Sequence, residues 1–370
     1  MPRKHAAPLE IASFMKRHWQ RKPLLVRGAF AAIKPVLSRA QLFGLAGQEG
    51  VESRVVMQQR GKWQLQRGPF ARRSLPPVTQ PRWTLLVQGV DLHDERAHEM
   101  LQRFSFVPQA RLDDLMISWA SDGGGVGPHF DSYDVFLLQV QGRRRWRIGR
   151  QKELVLRDDA PLKILANFEP EEEHVLEPGD MLYLPPRWAH DGIAVGECQT
   201  YSIGFRAASR GELARELLQR MADEEGEGGD VLYRDPAQAA TSSPGEIPAA
   251  MQRFAADALA RALGDPRAFA RAFGEFLTEP KANVWFDEGI EDGAARGGVV
   301  LDRRTRMMYD AHHVFINGES LRAAGRDATL MRAFADRRRL TAPQVRGAST
   351  AAQDVIADWI AAGWVHTAKE

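Results

Sequence analysis

Apolar and polar residues follow two different periods along this chain, and the change falls near residue 209. Before it, short apolar runs recur between Gly, Pro and Asn turns: Leu24–Val26, Ser53–Gln58, Trp83–Gln88, Asp114–Trp119, Asp134–Gln141, Arg144–Ile148, Asp180–Leu184 and Gln199–Arg206. Many short strands without alternating helices predict an antiparallel sandwich or barrel. Two helices belong to the same region. One covers Leu9–Gln20, with Ile11, Phe14, Met15 and Trp19 at helical spacing, and is stopped by Pro23. The other lies near Ser38–Leu45, with Ser38 as its N-cap. After residue 209 the period is helical. Ser209-Arg-Gly-Glu212 reads as a capping box, followed by an apolar stripe of Leu213, Leu217, Leu218 and Met221. An acidic, Gly-rich break at Asp223–Asp230 separates this helix from two more, Pro248–Leu263 and Pro266–Leu277. Three short amphipathic helices bury little by themselves, so they should pack against another domain or a second copy of the chain. The last stretch predicts strands at Gly298–Leu301, Arg306–Tyr309 and His313–Ile316, a tight turn at Asn317-Gly318, and helices at Ser320–Phe334 and Thr350–Ala362. That mixture fits a winged-helix-like module with Trp285, Phe286, Trp359 and Trp364 in its core.

A length of 370 residues exceeds one ordinary core. The shifts in pattern divide it into residues 1–207, 208–278 and 279–370. Hydrophobic residues at 44% and charged residues at 26% are the balance of a soluble globular protein, and no apolar run is long enough to span a bilayer. The start, Met1-Pro-Arg-Lys-His5, is basic but no uninterrupted apolar stretch follows, so no signal peptide is expected. A single cysteine, Cys198, excludes an intramolecular disulfide and a cysteine-based zinc site, which makes the cytoplasm the default compartment. A net charge of +2 gives no overall reason to expect nucleic-acid binding. The local runs Arg143–Arg147, Glu169–Glu173 and Arg337–Arg339 read as solvated faces.

Chemistry concentrates in Gly123-Gly-Gly-Val-Gly-Pro-His129-Phe-Asp131-Ser-Tyr133. Residues two apart on a strand point to one face, so His129 and Asp131 can hold one metal ion from one side. A second histidine would complete the two-histidine, one-carboxylate triad that leaves positions open on Fe(II). His190 is the candidate: Gly179-Asp180 turns into a strand, Pro185-Pro186 ends it, and His190 follows just beyond. The remaining histidines read as structural, including the adjacent pair His312-His313, whose side chains would face opposite ways on a strand.

The segments around His129 and His190 resemble the JmjC-type cupin hydroxylases. Phe14 to Gly28 resembles the opening of their ribosomal-oxygenase branch, and Gly123–Trp146 is similar to the bacterial members, which hydroxylate an arginine of large-subunit ribosomal protein L-sixteen. The resemblance is dense over residues 10–206 and loose beyond. It implies a mainly β fold with α: a double-stranded β-helix (jelly-roll, cupin) domain, then a helical dimerisation region and a winged-helix-like C-terminal domain. It also implies Fe(II), 2-oxoglutarate as cosubstrate and O₂, with His129, Asp131 and His190 as metal ligands and catalytic centre. In this family a basic residue thirteen positions after the motif aspartate holds the far carboxylate of 2-oxoglutarate; here that position is Arg144, and the guanidinium fork suits a carboxylate. Strand alternation puts Arg144 and Trp146 on one face and Arg143, Arg145 and Arg147 on the other. Thr200 and Ser202 add hydroxyls for the same cosubstrate. Tyr133, Asp114 and Ser118, with Gln139 behind them, are candidates for gripping the target side chain, an aromatic surface and a carboxylate being what an arginine needs.

The expected activity is therefore oxidative decarboxylation of 2-oxoglutarate to succinate and CO₂, coupled to hydroxylation of a C–H bond in a ribosomal protein by a cytoplasmic homodimer. Rival readings are a hydroxylase of histidine in another ribosomal protein, a demethylase, a metal-binding cupin that is no oxygenase, and nucleic-acid binding through the C-terminal module and Arg337-Arg-Arg339. For that module, protein docking or dimer support is favoured over nucleic acid.

Overall fold

The structure, a computed structural model, describes residues 9–226, 231–236, 239–240, 243–287, 297–322 and 324–368, with the side chains of 224–226 left aside. The basic start at residues 1–5 and residues 227–230 of the acidic break lie outside the described residues. The chain divides into two compact units, Met1–Ala207 and Ala208–Glu370.

In the first unit the elements run α1 (Ile11–Arg17), β1 (Leu24–Val26), α2 (Arg39–Leu45), β2 (Ser53–Gln59), β3 (Lys62–Arg67), β4 (Trp83–Val87), α3 (Glu95–Gln102), β5 (Leu112–Ala120), β6 (His129–Phe130), β7 (Val135–Gly149), β8 (Glu172–Leu176), β9 (Met181–Leu184) and β10 (Ala189–Phe205). Ser38 caps α2 through a capping box with Gln41. The strands form one antiparallel path, β1-β9-β7-β10-β5-β4-β2-β3, with β6 on β10 and β8 on β7 as branches.

Two long strands turn this path into a two-layered barrel. The first half of β7 pairs with β9 and its second half with β8. Likewise β10 pairs with β6 at its start and with β5 at its end. Each strand changes layer at a glycine in the left-handed region, Gly142 (φ +63°) and Gly196 (φ +74°). At Gly142 a Cβ would also lie 2.1 Å from the Glu197 carbonyl oxygen, so only glycine fits both the dihedral and the close approach. The sequence pattern at Gly142 implies two strands, Asp134–Gln141 and Arg144–Ile148; the structure has one bent strand. Alternate residues of the larger layer fill a core that includes Trp83, Trp119, Phe136, Tyr183 and Tyr201. A smaller cluster around Val135, Leu137, Trp146 and Ile148 fills the other end.

Three elements of this unit escape the sequence reading: β3, α3 and β8. β3 alternates half-buried Trp63 and Leu65 with exposed polar residues, an apolar face only two side chains long. His190 is a correction of another kind. It does not sit in a loop after the Pro185-Pro186 stop, because the chain re-enters the sheet at Ala189 and His190 is the second residue of the seventeen-residue strand β10.

The second unit comprises α4 (Arg210–Gly226), α5 (Ala249–Ala262), α6 (Pro266–Thr278), β11 (Val299–Leu301), β12 (Met307–Tyr309), β13 (His313–Ile316), β14 (Glu319–Arg322), α7 (Gly325–Arg337), β15 (Arg339–Leu340), α8 (Ala342–Arg346), α9 (Thr350–Ala361) and β16 (Val365–Thr367). Ser209 and Glu212 exchange the hydrogen bonds of the capping box ahead of α4. The expected helix Ser320–Phe334 is shorter. Asn317 and Gly318, both at positive φ, fold β14 back onto β13, and ladder pairing overrides helical spacing until Gly325. Trp359 is buried, but Trp285, expected in the core, is 80% exposed. Arg338 is no solvated-face residue: it sits at φ +57° after α7 and donates to the carbonyls of Asp302 and Thr305.

Candidate metal and cosubstrate site

A cavity of about 420 Å³ lies between the two layers of the first unit. Its metal-binding corner is assembled by glycines. In the loop Gly123–Gly127 a Cβ on Gly125 would meet the Gly192 carbonyl oxygen at 2.6 Å, and Gly127 takes φ +81°. With no side chains in the way, the loop presses against β10, and β6 pairs with β10 so that His129 and His190 are direct cross-strand partners. Their ring centroids are 4.2 Å apart, and His190 Nε2 is 3.7 Å from Asp131 Oδ2. One ligand atom from each of His129, Asp131 and His190 lies within 4.8 Å of the others.

The proton positions on the imidazoles follow from their neighbours. His129 Nδ1 is 2.9 Å from the Gly127 carbonyl and His190 Nδ1 is 3.0 Å from the Trp188 carbonyl. A carbonyl only accepts, so each Nδ1 carries the hydrogen and each Nε2 keeps its lone pair. Burial, and then the adjacent His129, pull the His190 pKa down to about 4 against the opposing pull of Asp131, so the ring is neutral at pH 7. Two imidazoles and one carboxylate, all on the cavity wall, are a donor set for a divalent first-row metal.

Across the cavity, Arg144 is 5% exposed and points inward. Its Nη1 donates to Ser118 Oγ at 3.0 Å, its Nε has no hydrogen-bond partner, and it forms no ion pair with a carboxylate among the described residues. A buried cation without a counter-charge is costly, and the cavity beside it is where an anion belongs. Trp146 stands between this charge and the metal corner, its ring 5.6 Å from the Arg144 guanidinium carbon and 5.8 Å from the His190 ring. Gly192 makes room for it: a Cβ there would lie 2.6 Å from the indole. Trp146 and Gly192 are parts of the site that the residue pattern did not single out as such. Their signal was adjacency, two positions from Arg144 and from His190.

Of the other candidate residues, Ser118, Ser202, Tyr133 and Asp114 line the cavity. Thr200 and Gln139 do not. Both are fully buried cross-strand partners, and the Thr200 hydroxyl donates to Gln139 Oε1 at 2.9 Å, so the pair satisfies itself behind the cavity wall. Asp114 Oδ2 accepts from Gln88 Nε2 and the Gly89 amide at 2.6 and 2.9 Å. The Tyr133 hydroxyl has its pKa raised well above the ordinary value, by burial first and then by the charges of Asp131 and Asp114, so it stays a neutral donor. Arg54 and Lys163 also reach the cavity wall.

Comparisons with known proteins agree with this geometry. Residues 99–213 match the JmjC domain, and residues 258–366 match the ROXA-like winged helix. The chain is 35% identical over 330 residues to the ribosomal protein uL16 3-hydroxylase of Escherichia coli, covering 85% of this chain and 86% of that protein. It is 33% identical over 197 residues to a probable ribosomal oxygenase of Haemophilus influenzae, covering 52% and 48%. The structure superposes on the E. coli ribosomal oxygenase YcfD with a TM-score of 0.84 at 31% identity, covering 96% of this chain and 98% of that one. It also superposes on YcfD in complex with cobalt and 2-oxoglutarate, with a TM-score of 0.79 at 31% identity, covering 98% and 99%. A fold shared from end to end, with a third of the residues identical, places this chain in the JmjC-domain ribosomal oxygenase family.

Proposed function

We propose that the protein is an Fe(II)- and 2-oxoglutarate-dependent hydroxylase of an arginine side chain in large-subunit ribosomal protein uL16. The observation that carries this reading is the pairing of a two-histidine, one-carboxylate metal corner with a buried Arg144 that holds no carboxylate among the described residues, across one cavity. His129, Asp131 and His190 would hold the metal. Fe(II) bound there supplies O₂ activation coupled to decarboxylation of 2-oxoglutarate. Arg144, steadied by Ser118, receives the far carboxylate of the cosubstrate, and Ser202 offers a hydroxyl on the same wall. Trp146 fills the space between the two ends and keeps water from it. Tyr133 and Asp114 offer a neutral phenol face and a carboxylate to a guanidinium entering from solvent. The uL16 3-hydroxylase of E. coli, covered over 86% of its length, supports the choice of uL16 over another ribosomal protein.

Three further parts of this reading concern the whole chain. Residues 1–207 would be the catalytic domain, 208–278 a helical dimerisation region and 279–370 the winged-helix-like domain. The protein would work as a homodimer, since α5 buries none of its residues and leaves Met251, Phe254 and Leu259 exposed on one stripe. It would act in the cytoplasm, where ribosomal proteins are made; no helix among the described residues is long and apolar enough to cross a membrane. The test is one incubation of the full chain with Fe(II), 2-oxoglutarate and a panel of ribosomal peptides. The expected result is a mass gain of one oxygen on an arginine of the uL16 peptide, with matching succinate. Succinate without oxygen on any peptide points to another substrate, and no succinate under any condition overturns the oxygenase reading.

A further inference from the structure

Between Glu52 and Asp91 the chain holds seven cations, Arg54, Arg60, Lys62, Arg67, Arg72, Arg73 and Arg82, and no acid. These residues build the outer end of the catalytic sheet, β4-β2-β3, beside the cavity. Elsewhere in the first unit arginines are commonly neutralised: Arg27, Arg39, Arg96, Arg111, Arg147 and Arg157 each hold a carboxylate. None of the seven does so among the described residues; Arg54 bonds to the Gln88 amide and Arg72 lies over the Phe43 ring.

The arrangement carries costs that simple solubility would not require. Arg54 and Arg67 are direct cross-strand partners, a like-charge pairing that destabilises a ladder. Arg60 and Arg82 occupy left-handed backbone, φ +50° and +62°, where Gly or Asn is the inexpensive choice. Charges on the edge strand β3 would discourage edge pairing with another chain, but that accounts for Lys62 and Arg67 and not for Arg54, Arg72, Arg73 or Arg82, which lie off that edge.

The surface between the cations identifies the kind of partner. Its exposed or half-exposed polar residues include Gln59, Gln64, Gln66, Ser74, Thr79 and Gln80. By the β2–β3 register, Arg54 and Arg67 share one face with half-exposed Trp63 and Leu65, while Lys62, Gln64 and Gln66 share the other. Cations without acids, on an edge hairpin that carries a half-exposed indole, are the chemistry that engages a polyphosphate backbone and stacks on its bases.

We propose that the β2–β3 hairpin with Arg72, Arg73 and Arg82 is an RNA-binding surface next to the cavity, reading phosphates and not sequence. It rests on the hydroxylase reading only for its purpose, which is to take a ribosomal protein together with RNA attached to it. Arg54, on the cavity wall, and Arg67, one strand further out, join the two surfaces.

The test is fluorescence anisotropy of a labelled single-stranded RNA of twenty nucleotides against the full chain, over a series of salt concentrations. The comparison variant is R60Q/K62Q/R67Q/R73Q, which leaves Arg54 and the cavity untouched. Wild type should bind at low salt, with log Kd rising linearly with log salt. The variant should bind at least tenfold more weakly at 50 mM salt, and its slope should fall by about 3, since each single-strand phosphate contact contributes about 0.7. R337Q/R339Q, on the second unit, should bind as wild type does. The proposal is overturned by absence of RNA binding at 50 mM salt, by an unchanged slope in the fourfold variant, by equal loss in R337Q/R339Q, or by polyglutamate of matched charge competing as well as unlabelled RNA. Succinate formation, measured separately, reports on the hydroxylase reading and not on this one.

Discussion

Replacing Arg144 by Met should make the protein more stable when no cosubstrate is present and blind to cosubstrate when it is. Arg144 is buried, has an unpartnered Nε and faces no carboxylate among the described residues. An uncompensated buried charge costs several kcal/mol, part of which water in the adjoining cavity returns. Methionine keeps most of the aliphatic bulk and the contact with Trp146. The one hydrogen bond lost is to Ser118 Oγ, which still donates to the Thr200 carbonyl. The net gain should be about 1–2 kcal/mol, a rise in Tm of roughly 2–8 °C for a unit of this size. The assay is a thermal melt with Mn(II), with and without 2-oxoglutarate. At a hundredfold excess over Kd the cosubstrate should stabilise wild type by about 2.7 kcal/mol and the variant not at all. The variant's curve should therefore start above wild type and end below it. A variant less stable than wild type without cosubstrate would mean that Arg144 is a structural residue, and an undiminished response to 2-oxoglutarate would mean that its anion is a different one.

Three other substitutions probe separate links. His129→Ala should abolish succinate formation while shifting the urea midpoint by less than about 1 kcal/mol, because the ring is half-buried and packs on a corner built by glycine backbone; normal turnover would remove the metal corner from the mechanism. Gly142→Ala meets both a left-handed φ and a carbonyl oxygen 2.1 Å from its Cβ, and should cost more than about 3 kcal/mol in urea unfolding; a cost below 1 kcal/mol would show that β7 can change layers without glycine. In the second unit, burial alone would raise the Asp302 carboxyl, but hydrogen bonds from Arg304 and His366 reverse this and hold it at about 2. A carboxyl that titrates lower in the folded chain than at its unfolded value of about 3.9 contributes stability above pH 4 that is lost as the pH falls toward 2. Asp302→Asn should thus cost about 2 kcal/mol at pH 7 and little near pH 2, and a cost independent of pH would contradict the assignment.

What could be read from residues alone divides along physical lines. The strands Leu24–Val26 and His313–Ile316 appear with the bounds expected of them because each is a short run closed by turn residues, Gly28 after the first and Asn317-Gly318 after the second. His129 and Asp131 were legible as a pair because two positions along a strand is a local relation. His190 was legible as a candidate third to that pair but not as a strand residue, since its strand begins only where β10 meets β6 and β7, contacts of long sequence separation. Thr200 shows another limit: it keeps the face of Ser202 and Ser118, but its hydroxyl is fully buried and taken by Gln139, a cross-strand neighbour that counting by twos does not reveal. A third is β14, where a two-residue turn decides between hairpin and helix over a stretch whose spacing permits either. Trp285 failed differently: an aromatic residue is core only if a neighbour covers it, and composition does not say which neighbour exists.

The charges of the site make one cooperative set. A divalent metal at the triad, the dianionic cosubstrate, Asp131 and Arg144 cancel when all are present. Remove the cosubstrate and Arg144 is left buried against no anion. Remove the metal and the cosubstrate would bring its keto acid end against Asp131 with no cation between them. Metal should therefore bind without cosubstrate, because His129, Asp131 and His190 already converge and both Nε2 lone pairs are free. Cosubstrate should bind poorly without metal. Asp114 on the cavity wall accepts hydrogen bonds from Gln88 and Gly89. In the proposed reading it is the carboxylate that meets the substrate cation. A substrate cation approaching past Arg54 and the hairpin would be repelled unless phosphate came with it, which ties the acid-free segment and the carboxylates of the cavity wall into one problem of electrostatics.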